Sequence, residues 1–298
     1  MTAISNTPQV QLAIGSMTHV GLVRQANEDS SAALLPPQCS VGMWRADDRV
    51  RWDGPPPGGR LRQQHRRQHG RIDTARVAGR RSYSRRVAES LHSAAVAANA
   101  KVFSESGTLE RAGMGTTLTA AVVSGPVLAL AHVGDSRAYL LRNGELALLT
   151  SDHTWVAYRV LKGALTPEEA ETHPKRNVLL RALGVDESVE VDSAMVQIQK
   201  GDVILLSSDG MHGLVSGADI ASVLGALSPQ EAASKLIERA NAAGGPDNVT
   251  AVVARVLSVD PDSTAPDAGE TLTGSLGSGS SGIGPKLANA VRRLSHRG

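Results

Sequence analysis

Cysteine occurs once, at Cys39, so no intrachain disulfide can close and no cysteine-based zinc cluster can be assembled. That scarcity favours a reducing compartment, and the cytoplasm is the expected location. Aromatic side chains are scarce as well: one Phe, three Trp and three Tyr among 298 residues. The core must therefore be built from Ala, Val, Leu and Ile, and rings are too few to form stacking platforms for single-stranded nucleic acid. No apolar run reaches the roughly 18 residues that a spanning helix needs. The best stretch, Leu118 to Val133, is broken by Ser124, Gly125 and Pro126. The N-terminus shows no basic start followed by an apolar core, so no secretory signal is read.

What is present is ordinary globular material, 41% apolar and 20% charged, which excludes a wholly disordered or collagen-like chain. The net charge of +2 conceals one foreign segment. From Trp44 to Arg86 the chain carries 13 Arg and four Asp with no Lys or Glu, a local net of +9 that leaves the remainder near −7.

From Leu118 onward the punctuation is that of antiparallel strands. Leu118–Val123 and Val127–Val133 flank Ser-Gly-Pro, and Ala138–Leu141 and Leu146–Leu149 flank Asn143-Gly144, the strongest short hairpin signal, so a meander is expected. A second hairpin is expected where Ala194–Gln199 turns through Lys200-Gly201-Asp202 into Val203–Ser207, followed by a last strand at Val249–Val256. Val87–Phe103 reads as a helix with Leu91, Ala94, Ala95 and Ala98 on one face. Ser228-Pro229-Gln230-Glu231 and Thr166-Pro167-Glu168-Glu169 each supply a helix start with a capping-box Glu, the second helix being stopped by Pro174. Strands bracketed by helices predict a layered α+β architecture. Three divisions follow: an N-terminal lead at 1–17, a domain at 18–257, and a flexible Gly/Ser/Pro-rich tail at 258–298, whose composition cannot offset chain entropy.

Carboxylates recur behind apolar strands, where an unpartnered charge costs several kcal/mol to desolvate. Val203 to Ser208 delivers Asp209-Gly210, Leu128 to Val133 delivers Gly134-Asp135, and Gly244-Gly245-Pro246 delivers Asp247-Asn248; near the N-terminus Asn27-Glu28-Asp29 follows Arg24. Singly, each reads as a turn signal. As a set of hard oxygen donors without Cys or clustered His they suit Mg²⁺ or Mn²⁺, and an Arg beside them could grip phosphate bidentately. His132, within an apolar strand, reads as a hydrogen-bonded core histidine, and His153, in the turn Ser151-Asp152-His153-Thr154, as part of a solvated loop.

Five strings stand in order: Gly21-Leu22-Val23-Arg24-Gln25-Ala26-Asn27-Glu28-Asp29-Ser30, Gly113-Met114-Gly115-Thr116-Thr117, Val133-Gly134-Asp135-Ser136-Arg137-Ala138-Tyr139, Ser208-Asp209-Gly210 and Gly244-Gly245-Pro246-Asp247-Asn248-Val249-Thr250. Together they resemble the signatures of the metal-dependent PPM/PP2C protein phosphatases, bacterial branch, over about Thr18 to Val256. The resemblance implies a four-layer αββα sandwich of two antiparallel sheets flanked by helices. It also implies a binuclear Mn²⁺/Mg²⁺ centre with room for a third ion, and attack of a metal-activated water on a phosphorylated Ser or Thr. Carried over by position, Asp29, Asp209 and Asp247 are metal ligands, Glu28 orients ligand waters, Arg24 grips the substrate phosphate, and Asp135 helps Asp209 hold a third ion; Gly210 and Asn248 accompany them. Met114 to Thr117 and Ser136 are implied to be structural turns, and Ala157 to Arg181 the family's mobile flap. The implied partners are phosphorylated Ser/Thr proteins, a bacterial Ser/Thr kinase among them. Neither a membrane span nor nucleic acid is expected.

One family string, Ala-Asp-Gly-Met-Gly-Gly or near it, is missing. Where it should lie, Trp44 to Arg86 contains no β-branched run suited to a central strand, and Asp53-Gly54-Pro55-Pro56-Pro57-Gly58-Gly59 only mimics its order. The block is open to three readings: an arginine arm for nucleic acid or an acidic partner, an insertion, or a stretch translated out of register. The third is favoured, because Arg66-Arg67-Gln68-His69-Gly70-Arg71 is what shifted codons of such a string could produce in a G+C-rich gene. On any of these readings the metal centre lacks one carboxylate, and a catalytically impaired phosphatase-like module is the alternative function.

Overall fold

Val203–Ser207 is apolar along its whole length and buried at all five positions, as expected of a strand covered on both faces. The alternation of its side chains decides what it touches. Ile204 and Leu206 join a core with Leu128, Leu130, Leu140 and Val252, whereas Val203 and Leu205 join one with Ile220, Leu224, Leu236 and Ile237. In the computed structural model, which describes residues 10–34, 40–46, 74–106 and 114–259, these cores lie on the two sides of one sheet.

The strands are β1 (Val10–His19), β2 (Asp29–Leu34), β3 (Ser40–Ala46), β4 (Thr116–Ser124), β5 (Val127–Val133), β6 (Arg137–Arg142), β7 (Glu145–Leu148), β8 (Asp192–Gln197), β9 (Val203–Ser207) and β10 (Val249–Val259). They form two sheets, ordered β1-β10-β9-β6-β7 and β2-β3-β4-β5-β8, with every pairing antiparallel. The helices are α1 (Thr74–Ser106), α2 (Trp155–Leu161), α3 (Pro167–Thr172), α4 (Asp209–His212), α5 (Gly217–Ala226) and α6 (Pro229–Ala242). Helix α1 packs on β4, β5 and β8, and α5 and α6 pack on the other sheet. The order helix, sheet, sheet, helix is the expected four-layer α+β sandwich. Leu205, Leu206 and Leu236 are wholly enclosed, each such side chain contributing about 2 kcal/mol of transfer free energy.

Local signals are realised where they were read. Asn143 and Gly144 adopt φ of 51° and 81°, the left-handed pair that a two-residue hairpin between β6 and β7 requires. Thr166 and Ser228 close capping boxes with Glu169 and Glu231, each with Pro in the first turn.

Four expectations are corrected. The four strands expected as one meander are split, β4–β5 belonging to one sheet and β6–β7 to the other. The segments flanking Lys200-Gly201-Asp202 are not a hairpin: β8 pairs with β5, while β9 lies between β10 and β6. The crossing is locked by Asp202, which accepts both Arg142 Nε at 2.8 Å and the Gln199 amide at 2.9 Å, and by Arg142 Nη2, which donates to Gln197 O. The central position beside β4 is filled by β3, whose last three residues, Trp44 to Ala46, fall inside the arginine-rich block; backbone pairing needs no apolar run. The helix expected from Val87 begins at Thr74, also within that block, and its buried row is Ala88, Ala95, Asn99 and Val102. In addition, β1 begins at Val10, ahead of the boundary expected at residue 18. Asp53, most of the arginine-rich block and the tail lie outside the described residues.

Candidate phosphatase site

The strand pattern gathers the acidic turns at one end of the sandwich. In the β1–β10 register His19 stands opposite Val249, and in the β9–β10 register Ser207 stands opposite Ala251, so Gly21, Asp209 and Asp247 all follow or precede strands at that end. The β6–β9 register pairs Arg137 with Ser207, so Asp135, two residues before β6, and Asp209, two residues after β9, lie at that same end. Asp29 opens β2, itself carried there by the short connection from β1.

Contacts tie these segments together. Asn248, fully buried, is the clasp: its Nδ2 donates to Val20 O and Ala26 O, both at 2.9 Å, and its Oδ1 accepts the Glu28 amide at 2.8 Å. The loop between Val20 and Ala26 is thereby closed, and Arg24 at its tip places Nη2 3.0 Å from Asp247 Oδ2. Gly21, at φ 83°, is packed so closely that a Cβ would collide with Asp247 O. Gly210 likewise abuts Asn248 O, which sets the Asp209-Gly210 turn directly against Asp247-Asn248. Asp29 is buried; its Oδ2 accepts the Thr250 hydroxyl at 2.8 Å, and Thr250 meets the Thr18 hydroxyl at 2.7 Å, which in turn accepts Asn27 Nδ2. Asp209 Oδ1 accepts its neighbour's amide at Gly210. Arg24, Glu28, Asp29, Asp209, Gly210, Asp247 and Asn248, scattered through the sequence, thus form one neighbourhood, and Asp135 stands in the turn between β5 and β6 at the same end of the sandwich.

The donor set is oxygen only and suits a hard divalent cation in kind. It does not close in number: among the described residues no group of three or more His, Cys, Asp or Glu side chains could hold a metal ion. Asp247 is engaged by a guanidinium and Asp29 by a hydroxyl.

Behind the site lies a buried polar layer that sequence reasoning missed in part. His132 behaves as expected: its Nδ1 meets the Thr119 hydroxyl at 2.8 Å and its Nε2 donates to Ser151 O at 3.2 Å. Burial foremost, with the nearby His153 ring, holds its pKa down to about 3. His212, half-buried, is likewise held at about 3, by desolvation and then by the nearby Arg137 charge. His153 is not in a solvated loop. It is 5% exposed, accepts the Gly134 amide at Nδ1 (3.1 Å) and reaches Asp192 Oδ2 with Nε2 (2.8 Å). Only the fold brings Asp192, the first residue of β8, beneath that turn, so no sequence signal marked it. Burial pushes the Asp192 carboxyl up, but the His153 and Arg181 contacts outweigh it and leave the group below its ordinary value. The Asp152 carboxyl is lowered in the same manner by Arg137, which grips it at 2.9 and 2.7 Å.

A two-sheet sandwich flanked by helices, with acidic turns gathered at one strand end beside an arginine, defines the class of protein. The comparisons name it. Residues 61–157 match the family model for protein phosphatase 2C, and residues 138–257 match that for stage II sporulation protein E. The crystal structure of the Mycobacterium tuberculosis serine/threonine phosphatase PstP/Ppp superposes with a TM-score of 0.62 at 32% identity, covering 84% of this chain and 100% of that one. The PstP catalytic domain in complex with two manganese ions gives 0.63 at 31%, again with 84% and 100% covered. By sequence, PstP of M. tuberculosis is 49% identical over 154 residues, and the serine/threonine phosphatase stp of Listeria welshimeri 44% over 142 residues. Those matches span 30% and 56% of the respective proteins' lengths. The chain belongs to the protein phosphatase 2C family, bacterial branch. Among its described residues no helix is long and apolar enough to cross a membrane.

Proposed function

We propose that the chain is a metal-dependent protein serine/threonine phosphatase, hydrolysing phosphoserine and phosphothreonine in protein substrates, a bacterial Ser/Thr kinase among them. The observation that carries this reading is the convergence of Arg24 with Asp29, Asp209 and Asp247 around the Asn248 clasp. Arg24, on an exposed loop tip, is the phosphate grip: its planar fork matches two phosphoryl oxygens. Glu28 would orient water at the site, and Asp29, Asp209 and Asp247, with Asp135, would hold Mn²⁺ or Mg²⁺. Such ions, when bound, neutralise phosphoryl charge and acidify a water. Release of phosphate from a phosphothreonine peptide should depend on Mn²⁺ and should fall by about 100-fold or more in Asp209→Asn, since that side chain would sit at the reacting centre. Turnover without added divalent ion, or unchanged by Asp209→Asn, would remove the proposal.

A second reading is favoured by a specific observation, the lack of any three-carboxylate group among the described residues together with the absence of the Asp-Gly-Met-Gly-Gly string. On that reading the chain is a phosphatase-like binding module with an incomplete centre. Cooperative unfolding with neither Mn²⁺ binding by calorimetry nor phosphate release would establish it.

A further inference from the structure

His153 stands where three parts of the molecule meet. Its ring and its backbone both hold Gly134: the Gly134 amide donates to Nδ1 at 3.1 Å and the His153 amide donates to Gly134 O at 2.8 Å. Gly134 immediately precedes Asp135 and, at φ 112°, leaves no room for a Cβ, which would collide with the Thr117 side chain. The other side of the ring reaches the sheet through Asp192, 2.8 Å from Nε2. Asp192 also accepts Arg181 Nη1 at 3.0 Å, and the Leu180 amide donates to His153 O at 2.7 Å. Arg181 and Leu180 end the excursion that leaves at Thr154, carries α2 and α3, and is closed at its base by the bridges Thr154–Leu179 and Thr116–Leu183.

We propose that His153 is a positioning residue that fixes the Gly134-Asp135 turn between β5 and β6 and ties the α2–α3 flap to that turn. The hydrogen-bond directions leave one arrangement. A backbone amide can only donate, so Nδ1 accepts and carries no proton; Nε2 therefore carries it and donates to Asp192. A flap that shifts at Leu180 and Arg181 pulls on the histidine that sets Asp135, which links substrate access to the geometry of the acidic turn. The role bears on the phosphatase reaction, and so rests on that reading, but the tautomer and the amide protection do not.

Nitrogen-15 NMR of the unsubstituted protein should show His153 protonated at Nε2 and bare at Nδ1; the opposite tautomer overturns the proposal. Two substitutions separate the two ring bonds. His153→Asn keeps an acceptor near the Nδ1 position, and His153→Gln keeps a donor near the Nε2 position. Hydrogen exchange at the Gly134 amide should quicken by about tenfold in His153→Gln and stay near the unsubstituted rate in His153→Asn, the effect of one buried hydrogen bond. On the phosphothreonine peptide, kcat should fall in His153→Gln with KM little changed and be largely rescued by His153→Asn. Equal losses in both variants, tracking the fall in their urea midpoints, would show a merely packed side chain and overturn the proposal. If the unsubstituted protein releases no phosphate, the phosphatase reading fails, while tautomer and exchange still decide the role of His153.

Discussion

Arg24 and Asp247 are ion-paired, Nη2 to Oδ2 at 3.0 Å, although 223 positions separate them in the chain. The contact exists because Asn248 closes the loop that carries Arg24 and stands next to Asp247. The arginine side chain is 49% exposed, so the pair contributes little to holding the fold.

Arg24→Ala should accordingly leave stability almost unchanged, since exposed pairs contribute about 0–1 kcal/mol. On a phosphothreonine peptide KM should rise by about 10- to 100-fold, the loss of a charge-assisted bidentate grip. Steady-state kinetics beside a urea titration checks both; a large fall in the urea midpoint with KM unaltered would contradict the assignment.

Gly210→Ala should be disproportionately harmful for one methyl group. The new Cβ would meet the Asn248 carbonyl, a backbone atom held by its place at the start of β10, so the Asp209 turn must shift away from Asp247. Overpacking of this kind costs about 1–3 kcal/mol. Phosphate release should fall further than the urea midpoint predicts, whereas Gly217→Ala, with open space around its Cα, should change neither.

At the opposite role stands Arg142–Asp202, with side chains 7% and 1% exposed, which joins β6 to the crossing between the sheets. Asp202→Ala leaves a buried guanidinium without its carboxylate and should destabilise by about 3–5 kcal/mol. The double change Arg142→Met with Asp202→Leu should cost less than either single change. Activity per folded molecule should be retained in both, as measured by turnover normalised to the folded fraction.

Stability should decline steadily on acidification below neutrality. His132 and His212 are held at about 3 by burial, below the ordinary 6.5, so between those values the unfolded chain binds protons that the folded one refuses. Stability from each group is full above the unfolded value and is lost as pH falls, at up to about 1.4 kcal/mol per pH unit. Asp152 and Asp192, lowered in the folded state, add a further loss only once pH passes below the ordinary carboxylate range. Urea midpoints taken between about pH 7 and pH 4 test this, and His132→Gln should flatten the slope while lowering the plateau.

The convergence of the candidate residues at one end was foreshadowed because they lie in short ordered strings, and the turns that carry them are specified locally. Asp135, Asp209 and Asp247 each sit where a strand ends or begins, and those strand limits were legible from apolar runs and glycines. The clasp by Asn248, the Arg24 pair and the burial of His153 were not legible, since each depends on a partner from another layer. The histidine is instructive: Ser151-Asp152-His153-Thr154 reads as a polar turn, and it becomes interior only when β8 delivers Asp192 beneath it.

The sequence by itself determined the elements. Asn143-Gly144, the two Pro-bearing capping boxes and the apolar, β-branched runs of β9 and β10 act through hydrogen bonds and dihedral preferences within a few residues. The tertiary structure alone decided which sheet each strand joined. Local pattern makes β8 and β9 look like a hairpin, yet two sheets can bury their apolar faces against each other only if the chain crosses between them, and that choice is made by surfaces far apart in sequence. The same crossing brings Asp192 to His153 and Asp202 to Arg142, so the contacts that lock the flap and the sandwich are consequences of layering.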